Sequence, residues 1–128
     1  MKIKMDGKTY NLGVVAGSLA ENFEIREGSN SGQLLDGDTV RDIVGTYYHH
    51  TLTVQPDPEH YEDYVAFFKD ISAPVAFHTI TMPHIDGEVT YEVMVSSGGH
   101  THGNRVGGKT RFSGLHINLK ARRPQIIA

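Results

Sequence analysis

The residues Gly103-Asn104-Arg105-Val106-Gly107-Gly108-Lys109-Thr110 fit the phosphate-loop pattern G-x-x-x-x-G-K-[ST]. That pattern binds phosphate when a buried strand runs straight into the loop and a helix straight out, so that the helix N-terminal amides and dipole hold the anion. Neither condition is expected here. Seven residues, Ser96 to His102, separate the match from the strand before it, and the following RFSGLHINLK alternates with period two around an internal glycine, which is a strand pattern. Nor does any parallel βαβ pattern present a second Asp for magnesium, so nucleotide binding is not expected.

His100-Thr101-His102 is an H-x-H pair in a chain with 8 histidines. On a strand two such imidazoles point the same way, but zinc needs three or four ligands at fixed geometry. His49 and His50 are adjacent and should face opposite ways, His78 and His116 stand at separate positions, and H-E-x-x-H is absent. His100 and His102 are the only metal-ligand candidates, and no metal or other cofactor is expected. Asp36, Asp38, Asp42, Glu62, Asp63 and Asp86 fall in turns or on the wet side of a helix, where nothing pairs them with a nucleophile. There is no cysteine, and Ser96-Ser97-Gly98 lacks the elbow of G-x-S-x-G. No catalytic residue is named, and a non-enzyme is expected. Tyr47, Tyr48, Tyr61 and Tyr64 could stack on sugars or bases, yet tyrosines at these spacings are more often core residues with the hydroxyl reaching out.

The elements that must position these groups are organised around residues 38 to 83. Asp57-Pro58-Glu59 places a capping carboxylate before a proline suited to a first helical turn, which predicts a helix over 58–71 ended by Pro74. Its apolar stripe reads Tyr61, Tyr64, Val65, Phe68 and Ile71, with Phe67 beside it and the charged residues mostly on the wet side. Flanking strands are predicted over 46–54, with Tyr48, His50, Leu52 and Val54 on one face, and over 75–82. Asp6-Gly7 closes an opening hairpin. Residues 22–26 form a short strand with Phe23 and Ile25 on one side, and the Gly, Ser and Asp residues after it read as a loop. Further strands cover 89–95 and 112–121. Between them residues 97–110, with five glycines and no periodicity, read as a long mobile loop, so that the two strands make an extended terminal hairpin. The tail, 122–128, carries Ile126 and Ile127 outside any core pattern; it either folds back on the sheet or docks on another chain.

A chain of 128 residues is expected to be one domain, 1–128, with a core of its own. Twelve Lys and Arg against 15 Asp and Glu leave a net charge of -3, which is no nucleic-acid footprint. No stretch nears the roughly 20 apolar residues needed to span a bilayer, so a soluble chain without membrane insertion or a visible targeting signal is expected. The fold class expected is mainly β with one principal helix (α+β), an antiparallel β-sandwich-like domain with a flanking helix and a long terminal hairpin.

In order along the chain, IKMDGKTYNLG, TVRDIVGTYYHHTLTV, HYEDYVAFFKDISAPVAFHTITMP and TYEVMVSSG resemble small structural proteins encoded in tail gene clusters of phages and prophages of Gram-positive bacteria. The resemblance runs over residues 2 to 121. It implies a virion tail part at or near the distal end and baseplate. The layout is also similar to the tail-tube and distal-tail ring fold, which assembles as hexameric rings. His100, His102 and the GNRVGGKT run depart from that group's pattern. The function expected is that of a non-enzymatic assembly protein of the virion, working through contacts with copies of itself in a homo-oligomeric ring and with other phage tail proteins. The assembly residues expected are Gly98, Gly99, His100, His102, Arg105 and Lys109 of the long loop and Ile126 and Ile127 of the tail, because Gly-rich hairpins and loose apolar tails gain order on a neighbour's surface. Two rivals are a carbohydrate or host-surface binding module using Tyr47, Tyr48 and the loop histidines, and a metal-dependent or nucleotide-using enzyme built on residues 100–110.

Overall fold

The computed structural model describes residues 1–128. The chain opens with β1 (Lys2–Met5) and β2 (Lys8–Asn11), joined by Asp6 and Gly7, both at positive φ (52° and 82°). This is the two-residue turn that Asp-Gly suits, because both positions must enter the left-handed region. β3 (Gly13–Val14) and β4 (Ala20–Glu27) follow, and β5 (Gly32–Gln33) pairs with β6 (Thr39–Val40) in a separate ribbon. The expected loop after Arg26 therefore contains a small hairpin. β7 (Ile43–Gln55) then runs for 13 residues, followed by α1 (Tyr61–Ile71), β8 (His78–His84) and β9 (Gly87–Met94). β10 (Gly98–Gly99), β11 (His102–Val106), β12 (Lys109–Phe112), β13 (Leu115–Ala121) and β14 (Ile126–Ile127) complete the chain.

The fold is mainly β with a single helix, and every strand pairing is antiparallel. Ten strands form one curled sheet whose path runs β14-β7-β13-β9-β8-β1-β2, with β3 and β4 on β7 and β10 on β13. β13 turns the corner. Its residues Leu115 to Leu119 pair with β7, while Lys120 and Ala121 pair with β9. The alternating pattern of β13 puts Leu115, Ile117, Leu119 and Ala121 inside, where they meet Leu52 and Val54 of β7, Ile80 and Met82 of β8, and Val93 of β9. Pro83 sits inside β8, where β1 pairs only as far as Ile80 and Thr81. Its missing N–H therefore falls outside that ladder.

The helix begins at Tyr61, three residues later than the sequence suggests. Asp57 Oδ1 accepts from the Glu59 amide (3.0 Å), so the carboxylate closes a turn that ends with the His60 amide on Asp57 O (2.9 Å) instead of capping the helix. The buried stripe is Tyr64, Phe67 and Ile71, with Val65 and Phe68 half-buried. Phe67 is the core aromatic, edge-on to Tyr10 at 5.3 Å, because α1 is rolled toward β2. Two carboxylates expected on the wet side make that roll. Asp63 accepts from the Asn11 backbone and side-chain amides (2.8 and 3.0 Å), and Asp70 accepts from the Tyr10 hydroxyl at 2.5 Å. They cover the outer edge of β2. No helix is long and apolar enough to cross a membrane.

Candidate functional site

Residues 97–110 are not an irregular loop but carry paired strands. Gly98 and Gly99 pair with Ile117 and His116, and β11 and β12 form a hairpin around Gly107-Gly108, whose φ values are 60° and 77°. Two consecutive residues in the left-handed region make a tight hairpin turn, and glycine enters that region without a Cβ clash. The same glycines that suggested disorder are the turn signal. The phosphate-loop match lies wholly in this hairpin, with β12 where a helix N-terminus would be needed.

His100 fixes the hairpin to the helix. Its ring lies between those of Phe68 and Phe112, each with its centroid at 4.3 Å and nearly parallel, and the Tyr64 hydroxyl donates to its Nδ1 at 2.5 Å. Burial, with His102 nearby, holds the His100 pKa below the usual histidine value, and burial pushes the Tyr64 hydroxyl up to about 12. A neutral imidazole suits this site, since Nδ1 must accept from Tyr64. His102 stands edge-on to both His100 and Phe112 (80° and 83°). The two imidazoles are thus nearly perpendicular, and nowhere do three His, Asp or Glu side chains gather in a geometry that could hold a metal ion.

Beyond Phe112 the hairpin leaves a cleft of about 580 Å³ against Gln55, Pro56, Pro58 and Tyr61. The Thr110 amide donates to the Tyr61 hydroxyl (3.0 Å), and Lys109 Nζ lies 5.7 Å from the centre of the Tyr61 ring. Arg105, Lys109 and Arg111 are exposed, and none of them is in an ion pair.

The tail folds back on the sheet through its backbone. Ile126 and Ile127 pair with Thr46 and Gly45, the Gln125 amide donates to Thr46 O (2.9 Å), and the Tyr48 amide donates to Gln125 Oε1 (2.6 Å). Gly45 is required there because a Cβ would collide with Ile126 O and the Pro124 ring. Both isoleucine side chains remain exposed. Phe23 and Ile25 of β4 and Ile43 and Val44 of β7 are exposed as well, and the register puts Ile126 on the face of Phe23 and Ile25 and Ile127 on the opposite one. β4 pairs only with β7, so its outer edge is open along eight residues, Ala20 to Glu27. The structure thus places Gly98 and Gly99 on β10, His100, His102, Arg105 and Lys109 in or next to the hairpin, and Ile126 and Ile127 on β14.

Tyr47 and Tyr48 do not form one platform. Tyr47 is buried beneath the Arg26 guanidinium (4.1 Å), while Tyr48 is half-buried and edge-on to His84.

A polar cluster that sequence reasoning missed lies where β4, β7 and the β8–β9 hairpin meet. His50 is buried. Its Nε2–H donates to Pro83 O (2.9 Å) and faces Glu21 at 3.2 Å, leaving Nδ1 to accept from the Tyr91 hydroxyl at 2.6 Å. His84 Nδ1–H donates to the same Glu21 oxygen at 2.6 Å. Burial and the Glu21 charge raise the Tyr91 pKa. No buried side-chain polar atom is left unpaired, so the cluster is satisfied within the chain. The period-two pattern did put His50 on the inner face, but no local spacing connects residues 21, 50, 84 and 91. A second such pair is His78 donating to Asp6 (2.7 Å). Burial alone would raise the Asp6 pKa, yet the bonds from His78 and the Thr79 amide bring it below the usual value.

No protein-family model matches the chain, and no curated protein matches it in sequence.

Proposed function

We propose that this chain is a non-enzymatic structural protein of a phage tail, a ring-forming component near the distal end or baseplate that works by contact with copies of itself and with other tail proteins. The observation that carries an assembly role is the end of the molecule formed by β4, the first half of β7 and β14. There a β-strand edge stands open over eight residues, and six large apolar side chains, from Phe23 to Ile127, face solvent. Open strand edges and exposed large apolar side chains are what a monomer avoids and an assembling subunit uses. The tail assignment rests on the resemblance of residues 2 to 121 to phage tail-cluster proteins. The polar groups fit such a role, because the histidine networks are satisfied internally and tie strands together.

Virion particles purified by density gradient from bacteria that carry and express the gene test this reading. Mass spectrometry should find the chain in the particles at a fixed ratio to the major tail protein, and antibody labelling should place it at the distal tip. Particles with complete tails that lack the chain would overturn the assignment.

A further inference from the structure

Two unpaired charge clusters stand at opposite ends of β7. At the first, the tip of the β5–β6 ribbon reads Leu34-Leu35-Asp36-Gly37-Asp38. Both leucines are exposed, Leu35 fully so, and neither aspartate is in an ion pair. The turn is held open to solvent by its own bonds, the Asp38 amide donating to Asp36 Oδ1 (3.0 Å) and the Leu34 amide to Asp38 O (2.6 Å). It is an ordered apolar knob flanked by two carboxylates.

At the second, the cleft under the β11–β12 hairpin has Tyr61, Phe112, Pro56 and Pro58 among its walls and Lys109 and Arg111 at its rim. No carboxylate lies among its lining residues, and residues 98–112 contain no Asp or Glu. Knob and cleft therefore match in both apolar character and charge. Within one chain they do not meet: no residue of the knob lines the cleft, and the knob precedes β7 whereas the cleft begins at Gln55, the last residue of that strand.

We propose that the Leu34–Asp38 knob of one copy seats in the Tyr61–Phe112 cleft of a second copy, with Asp36 and Asp38 against Lys109 and Arg111. This deepens the assembly reading above and rests on it. Because each copy offers a knob at one end and a cleft at the other, the contact is head-to-tail. One such contact per copy propagates into a ring or a filament, whereas a reciprocal exchange of knobs closes a two-fold dimer. Lys109 and Arg111 would steer the encounter, so association should weaken as salt screens them.

Charge reversal on the full chain, read by sedimentation velocity, tests the contact. The knob variant is Asp36→Lys with Asp38→Lys, and the cleft variant is Lys109→Glu with Arg111→Glu. All four positions are exposed and the backbone bond from the Leu34 amide to Asp38 O does not involve the exchanged side chains, so both variants should unfold at the parental midpoint, which circular dichroism checks. The parent should sediment above monomer mass. Each variant alone should sediment as smaller species than the parent at the same concentration, and an equimolar mixture of the two should recover the parental mass, because each then meets an opposite charge. If the variants assemble like the parent, or the mixture stays as small as the single variants, the knob-and-cleft contact is wrong while the assembly reading stands. A parent that is monomeric throughout would remove both.

Discussion

β7 passes through two environments in one strand. Its second half places His50, Leu52 and Val54 in the core between β13 and the β8–β9 hairpin, all at 1% exposure or less, while its first two residues, Ile43 and Val44, are exposed. The core half is bounded by α1, by the capped edge of β2 and by hydrogen bonds to every buried polar atom. The other half has β4 and β14 beside it, which bring backbone partners but leave their own apolar side chains in water. The same strand type with the same residue types is thus used once to close a molecule and once to leave it open. What separates the halves is whether a second layer covers the face.

Substitutions on either side of that boundary should differ widely. Phe67→Ala, in the fully buried stripe of α1, should cost about 3 to 5 kcal/mol in denaturant unfolding. An unchanged midpoint would mean that α1 does not cover the core. Phe68→Ala should cost clearly less, because Phe68 is half-buried and its loss removes mainly the stack on His100. Tyr91→Phe keeps the ring but leaves buried His50 without its donor, a loss of about 1 to 3 kcal/mol measured the same way.

A smaller effect comes with pH. The folded-state pKa of His100 lies below its ordinary value of 6.5, so the stability it contributes is fully present above that value and is lost as pH falls from 6.5 through the folded pKa. Between pH 7.5 and 5, the parent should lose stability that His100→Phe, which keeps a ring between Phe68 and Phe112, does not lose. Parallel denaturation curves at the two pH values measure this, and equal slopes for both proteins would exclude His100 as the origin. The smallest effect on stability is expected for Phe23→Ala on β4, within about 0.5 kcal/mol. Its sedimentation should nonetheless shift toward smaller species, since the exposed end supports the proposed assembly.

Much of the core half was legible from local pattern. Period-two alternation placed Leu115, Ile117 and Leu119 inside β13, Asp6-Gly7 marked its turn, and the acidic segment after Pro58 marked the helix. Errors came where a second interaction competed for the same group. Asp57 closes a turn instead of capping α1, and Asp63 and Asp70 bind β2 instead of water, which rolls Phe67 inward and Phe68 outward. The glycines at 98–99 and 107–108 were ambiguous because glycine fits disorder, an extended strand and a left-handed turn alike; 98–99 pair with β13 and 107–108 turn the hairpin, which His100 ties to Phe68, 32 residues back along the chain, and to Phe112, 12 ahead. The Glu21, His50, His84 and Tyr91 cluster spans elements too far apart for any periodicity to reveal.

The continuity of β7 also has a mechanical meaning. Force applied to the open end along the strand axis is carried straight into the ladder between Leu115–Leu119 and His50–Val54. Antiparallel hydrogen bonds lie perpendicular to the strands, so such a pull loads these five pairs together in shear instead of unzipping them in turn. A pull across the sheet at β14 would meet the two pairs that hold Ile126 and Ile127 and the bonds of Gln125 to Thr46 and Tyr48. The molecule is therefore built to bear tension along β7 and to yield first at its tail.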